Sequence, residues 1–206
     1  MNTTKVTCSM LVLFILLSSI GVVSAGSEDD PEIIDKTFDV KFLGLIPFFP
    51  QMNYKRTDIT SVWFYEQEND PDHLYVSMKL RGFETNTDTY EYIYVVRWIY
   101  RDTYYAVCTK FLPEKTPLSR VGILDAGLND YVSSHDCDES FDTEAHCITW
   151  KIEKEDIDDP PQKTLLNGIF AFTNIRFPLD SVKVKFDLFK DFSSNANLVK
   201  DYQIQY

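Results

Sequence analysis

Glycine and histidine are scarce in this chain, seven and three residues in 206, and each scarcity removes a class of protein. So few glycines exclude a glycine-repeat fibre, and neither a G-x-x-x-x-G-K-[ST] loop nor a G-x-G-x-x-G turn is present to cradle phosphates. His73, His135 and His146 stand in no H-E-x-x-H pattern, and there is no G-x-S-x-G elbow, so familiar marks of metallo- and serine hydrolases are missing. Internal repeats and low-complexity tracts are also lacking. Nowhere do apolar residues keep helical spacing for three turns. Positive charge is in the minority, with 20 Lys and Arg against 32 Asp and Glu and a net charge of −12. Such a chain repels phosphate backbones and anionic membranes, so nucleic acid is not an expected partner. Cations, neutral ligands and basic proteins stay open, and solubility outside the cell is the commoner reason for acidity.

One long apolar run exists, "MLVLFILLSSIGVV". Lys5 precedes it and "VSA" follows it, directly before Gly26, in the order of a secretory signal peptide with a small-residue cleavage site. Retention as an anchor is the rival reading. The run is short, Gly21 and two serines interrupt it, and no polybasic flank follows. Residues 1–25 are therefore expected to be removed, taking Lys5 and Cys8 with them and leaving no integral membrane span. The expected location is secreted, extracellular or at the cell surface. "GSEDDPE" suggests a flexible N-terminal segment over 26–36, and 37–206 reads as a single domain.

Within that domain period-two alternation dominates. "HLYVSMKL" sets Leu74, Val76, Met78 and Leu80 on one side and Tyr75, Ser77 and Lys79 on the other, as in a strand with one buried face. Similar patterns run through "FDVKF" (Phe38, Val40, Phe42), "DITSVWFYE", "CITWKIEK" (Ile148, Trp150, Ile152) and "VKVKFDLF" (Val182, Val184, Phe186, Leu188). "TYEYIYVVRWIY" and "YYAVCTKF" flank a turn of hairpin length at "YRDT". "NGIFAFTNI" adds a core strand with Phe170 and Phe172 on one face. With breakers such as "NDPD", "LPEKTP" and "DDPP" between them, these segments predict an all-β fold. The expected form is an antiparallel β-sandwich of about eight or nine strands, with a barrel as the variant.

"TDITSVWFYEQENDPDHLYVSMKL", "YIYVVRWIYRDTYYAV" and "CITWKIEKEDI" resemble the opening strands, the following hairpin and a later amphipathic strand of DOMON-like and family 9 carbohydrate-binding-module-like domains. The resemblance spans roughly residues 37–188. It implies a β-sandwich that binds sugar or haem, or that serves as an accessory domain of a secreted enzyme. A haem would need an axial His or Met, and Met78 lies on an apolar strand face, where core packing is the simpler role.

The densest polar segment is "HDCDESFDTEAHC", His135 to Cys147. Zinc would have to draw on His135, Cys137, His146 and Cys147, of which the last two are adjacent and point apart in a strand. Export favours pairing of cysteines, and Cys137 with Cys147 is the favoured disulfide. Cys108 is then left as a small buried hydrophobe, although its bridging to either partner stays open. The carboxylates of Asp136, Asp138, Glu139, Asp142 and Glu144 could hold calcium, but they lack EF-hand order, and solvated loop charges are the commoner reading.

The last signal is aromatic. Tyr90, Tyr92, Tyr94, Val96, Trp98 and Tyr100 share one face of their strand, and Arg97 interrupts the other. Either that face is core, or it is an exposed platform on which Tyr92, Tyr94, Trp98 and Tyr100 would stack on sugar rings. The functional expectation is a non-catalytic recognition or accessory domain, with a glycan as ligand. A structural or protein-interaction component of the cell envelope is the alternative.

Overall fold

The computed structural model describes residues 26–37, 39, 41–42, 54–86, 90–125, 130–179, 184–192 and 198–206. The leader expected at 1–25 lies outside the described residues, as do the faces expected for Phe38, Val40, Phe42, Val182, Val184, Phe186 and Leu188. The strands are β1 (Ile33–Ile34), β2 (Lys41–Phe42), β3 (Ile59–Gln67), β4 (Asp70–Leu80), β5 (Glu91–Tyr100), β6 (Thr103–Phe111) and β7 (Leu118–Leu124). They continue as β8 (Tyr131–Asp136), β9 (Asp138–Asp142), β10 (Cys147–Glu153), β11 (Leu165–Leu179), β12 (Val184–Phe192), β13 (Leu198–Val199) and β14 (Tyr202–Gln203). Short 3-10 turns occupy Tyr54–Arg56 and Lys154–Ile157. No helix among the described residues is long and apolar enough to cross a membrane.

All pairings are antiparallel, and they form two sheets. The first has the order β13-β1-β3-β4-β10-β9 and the second β2-β12-β11-β5-β6-β7-β8, with β14 also on β11. This is the all-β sandwich that alternation predicts. More strands are present than the expected eight or nine, because two-residue strands such as β1 and β14 are too short to carry a periodic signal. The β5–β6 turn falls at "YRDT". Arg101 and Asp102 both have positive φ, 48° and 62°, the twist that a two-residue hairpin needs between right-twisted strands.

Leu74, Val76, Met78 and Leu80 of β4 are buried with Ile148, Trp150 and Ile152 of β10. Opposite them lie Tyr92, Tyr94, Val96, Trp98 and Tyr100 of β5 and Tyr105, Val107 and Phe111 of β6. Phe64 of β3 meets Trp98 edge-on at 5.6 Å, and Trp98 stacks on Tyr105 at 6.2 Å. A polar tie crosses the same interior. Trp150 Nε1 donates to Thr109 Oγ1 at 2.6 Å, and that hydroxyl is 2.6 Å from Ser119 Oγ. The other face of β5 is covered too: Ile93 and Val95 pack with Ala106 and Cys108 beneath Leu124, Tyr131 and Phe172. Phe170 and Phe172 therefore share the outer face of β11, where the Arg97 guanidinium sits 4.3 Å over the Phe170 ring, while Ala171, Thr173 and Ile175 face the core.

The flexible segment expected at 26–36 is corrected. Ile33 and Ile34 pair with Val62 and Ser61 of β3 and with Val199 and Leu198 of β13, and Glu32 is buried, its carboxylate accepting the Phe64 N–H at 2.7 Å. Acidic composition masked an apolar pair that closes a sheet edge. The chain's last residues are tied in by charge. Glu66, buried on β3, accepts hydrogen bonds from Tyr202 Oη and Gln205 N, and Lys154 Nζ bridges it to the Tyr206 carbonyl.

The packing can be checked at two residues. Trp98→Ala should lower the unfolding free energy by about 3–5 kcal/mol in urea denaturation, and a loss near zero would contradict its interior place. Asp35, next to β1, has its carboxyl pushed up to about 6 by burial, against the Lys36 N–H and reinforced by Asp39 and Asp58. A raised carboxyl contributes stability below its unfolded pKa and loses it as pH rises through the folded value. Asp35→Asn should thus raise the melting temperature at pH 7.5 (about 1.5 units above that folded value), with the gain vanishing near pH 4.

Candidate functional site

The segment that looked most like a metal site is pulled apart by its own hairpin. His135 ends in β8 of the second sheet, Cys137 crosses to the first, and β9 pairs with β10 so that Asp142 faces Cys147 and Asp138 faces Lys151. Cys137 then lies level with Ile152, five residues along β10 from Cys147, or about 17 Å at strand spacing. A disulfide requires Cα atoms within about 7 Å, so the expected Cys137–Cys147 bridge is corrected: Cys108, Cys137 and Cys147 are all free thiols. Cys108 cannot replace either partner. It aligns with Arg120 and Asp136 across β6, β7 and β8, about 10 Å from residue 136 across two strand spacings. It also packs with Ile93, Val95 and Ala106 on the face of the second sheet turned away from the first, which carries Cys147. Burial pushes the Cys108 thiol up to about 11 and the Cys137 thiol up to about 12, which keeps both protonated.

The same separation removes the zinc set and disperses the calcium candidates. Asp136 is largely exposed beside Arg120, and Asp142 caps the hairpin turn by accepting the N–H groups of Glu144 and Ala145. Glu139 points to the side of β9 opposite Asp138 and Asp142, toward Ser119. Asp138 and Asp142 are about 13 Å apart along the strand, whereas calcium draws its oxygens to within about 2.6 Å. Among the described residues no group of three or more His, Cys, Asp or Glu is arranged to hold a metal ion. The expected aromatic platform is corrected as well: Tyr92, Tyr94, Trp98 and Tyr100 are the core, each at most 4% exposed. Surface aromatics do exist on the outer face of the first sheet, where Tyr65 and Tyr75 stack at 4.9 Å. Alternation contained that pair, since Tyr75 faces away from Leu74 and Val76.

What the sequence did not single out is a basic cleft of about 410 Å³ lined by Lys55, Arg56, Arg81, Gly82, Phe83, Glu84 and His146. Three loops build it at one end of the first sheet: the 3-10 turn before β3, the segment after β4, and the β9–β10 turn. Backbone bonds fix them together, Gly82 N to Lys55 O, Arg81 N to Asp58 O, and Leu80 N to His146 O, at 2.9–3.0 Å. His146 sits at φ 57° and its Nδ1 accepts the Phe83 N–H at 3.2 Å, so the neutral ring carries its proton on Nε2. Arg81 Nε pairs with the buried Asp58 carboxylate at 2.5 Å.

Arg56 is the unusual member. It is only 5% exposed, yet its guanidinium donates to two neutral carbonyls, Asn86 O at 2.7 Å and Glu84 O, and lies 4.1 Å over the Tyr92 ring. No carboxylate among the described residues pairs with it. A buried cation satisfied by neutral carbonyls and a ring keeps its charge unneutralised, so its field extends into the adjoining cleft. At the opposite end of β4 and β10, Asp72, His73, Glu153, Glu155 and Asp159 line a second, acidic cleft with Lys154. Glu153 beside Glu155 pushes the Glu155 carboxyl up.

No protein-family model matches the chain, and no curated protein or solved structure is significantly similar to it. The geometry of the cleft itself carries the functional reading.

The free thiols can be counted directly. Exported protein denatured without reductant should take up maleimide at Cys108, Cys137 and Cys147, counted by intact mass, and uptake at one cysteine alone would restore a disulfide.

Proposed function

We propose that this is a secreted, non-catalytic binding domain whose basic cleft takes the carboxylate or sulfate groups of an acidic glycan. The observation that carries the reading is Arg56. In a chain of net charge −12, one guanidinium is buried without a carboxylate partner among the described residues, and Lys55, Arg81 and His146 stand around it. Loops at the end of a rigid sandwich are where such domains carry recognition residues. The cleft also falls within the size range of small-ligand sites. Arg56, whose terminal nitrogens are held by Asn86 O and Glu84 O, supplies a fixed positive field, Lys55 adds a mobile point charge that can contact the ligand, and the Nε2–H of His146 suits a hydroxyl. The resemblance to DOMON-like and family 9 carbohydrate-binding-module-like domains supports sugar over other anions, and the lack of a nucleophile motif supports binding without catalysis.

A second reading is an envelope component that docks another protein. It draws on β8, an edge of the second sheet on which Val132 is 70% exposed, because an unpaired strand edge can accept a partner strand.

Binding to uronic-acid and sulfated oligosaccharides, measured beside neutral ones, tests the proposal. Lys55 is exposed, so Lys55→Glu should weaken acidic-glycan binding by about tenfold or more, about 1.4 kcal/mol, without shifting the melting temperature. Equal binding of neutral and acidic sugars, or no effect of the reversal, would contradict it.

A further inference from the structure

We propose that Gly26 is the mature N-terminus and that its α-ammonium group is held inside the protein by the carboxylate of Glu32 and the carbonyl of Phe64. The site is independent of the basic cleft and rests on two observations, the small-residue cleavage pattern before Gly26 and the place where the structure puts that glycine.

Gly26 is buried rather than trailing from the domain. The chain turns at once, with Asp30 N donating to Ser27 O at 3.1 Å, and so returns Gly26 against Glu32 and β3. A Cβ built on Gly26 would lie 2.0 Å from Phe64 O and 2.8 and 3.0 Å from the two carboxylate oxygens of Glu32. No side chain fits there. The position of Cβ also bounds the position of the nitrogen, since both are bonded to Cα and stand about 2.5 Å apart. The Gly26 nitrogen is thus within about 5 Å of the Phe64 carbonyl and within about 5.5 Å of both Glu32 oxygens.

In the unprocessed chain that nitrogen is an amide and carries no charge. Hydrolysis of the Ala25–Gly26 bond by a signal peptidase adds one water: its oxygen goes to the Ala25 carbonyl carbon, the C–N bond breaks, and the released nitrogen takes up protons to become an ammonium. Ala25 leaves as a carboxylate. The new group has three donors, and it meets one carboxylate and one carbonyl in a buried setting.

Glu32 has the character of a group awaiting such a partner. It is 2% exposed, and across the sheet it is bonded by Phe64 N. Burial pushes its carboxyl up to about 7, opposed by that N–H, by Lys200 and by its own backbone N–H, with Asp30 acting in the raising direction. Lys200 is itself paired with Asp30 Oδ1 at 2.5 Å. Among the described residues the Tyr202 hydroxyl, engaged by Glu66, also faces it. With the nitrogen uncharged, the folded pKa of Glu32 exceeds the unfolded one, so stability is lost as pH rises from about 4.5 through about 7. An adjacent ammonium keeps the carboxylate ionised and reverses that loss.

The test uses the full chain, exported and purified from the medium. Intact mass should give a chain beginning at Gly26. A variant chain carrying one extra serine between Ala25 and Gly26 displaces the amine. The Gly26-initiated protein should melt several degrees higher at pH 7, the gap should close near pH 4, and Glu32→Gln should abolish it in both backgrounds. The docked amine should also react with an acylating reagent at least about tenfold more slowly in the folded than in the urea-unfolded protein, as a one-unit rise in its pKa requires. A chain beginning at another residue, a missing gap, a gap that survives Glu32→Gln, or equal amine reactivity in both states would overturn the proposal.

Discussion

The contact on which the rest of the molecule depends is the burial of one aromatic face of β5 against the apolar faces of β4 and β10. Tyr92, Tyr94, Trp98 and Tyr100 present large rings inward, and Phe64, Leu74, Val76, Met78 and Trp150 meet them from the other sheet. Rings of this size each remove well over 100 Å² from water, and edge-on and stacked contacts orient them. The Trp150–Thr109–Ser119 chain adds direction to an otherwise non-directional force, because an indole N–H buried without an acceptor is costly. Since β5 is sandwiched on its other face by Tyr131 and Phe172, it is the strand whose sequence runs almost continuously apolar.

Charge then decides where the ends of the sandwich go. Glu66, Lys154, Tyr202 and the Tyr206 carbonyl form one buried network, and Glu32 and Phe64 form the seat against which Gly26 packs. Both cross long sequence separations and draw the two ends of the domain onto β3. At the loop end near Arg81 and His146, by contrast, Arg81 pairs with Asp58 while Lys55 and Arg56 stand in the cleft with no carboxylate partner among the described residues. In a molecule so acidic, that local placement of charge is what the proposed binding role rests on.

Much of the fold was legible in the sequence because alternation is a local property. β3, β4, β5, β6, β10 and β11 lie where the apolar period places them, and the "YRDT" hairpin turns where it should. Three features were not legible. β7 and β8 carry weak alternation, and residues in β8 such as Val132 and His135 face solvent. β1 has only two residues, hidden in an acidic stretch. The Cys137–Cys147 loop looked short enough to bridge, but its residues are spent on an extended hairpin that holds the cysteines apart, which only register reveals. The candidate site was less legible still. Arg56, Arg81 and His146 are far apart in the chain, and tertiary packing of three loops is what brings them together. The aromatic ladder left core and platform both open for a related reason: period two says which rings share a face, not whether another sheet covers it.

Acrylamide quenching of the native protein's tryptophan emission tests the central packing most directly. All three tryptophans, Trp63, Trp98 and Trp150, are buried, so the native emission should be blue-shifted and quenched only weakly until the protein unfolds. Trp63 lies on the outer face of β3, between the inward Val62 and Phe64, so red-shifted, readily quenched native emission that persists in a Trp63→Phe variant would place the β5 face on the surface and contradict that packing.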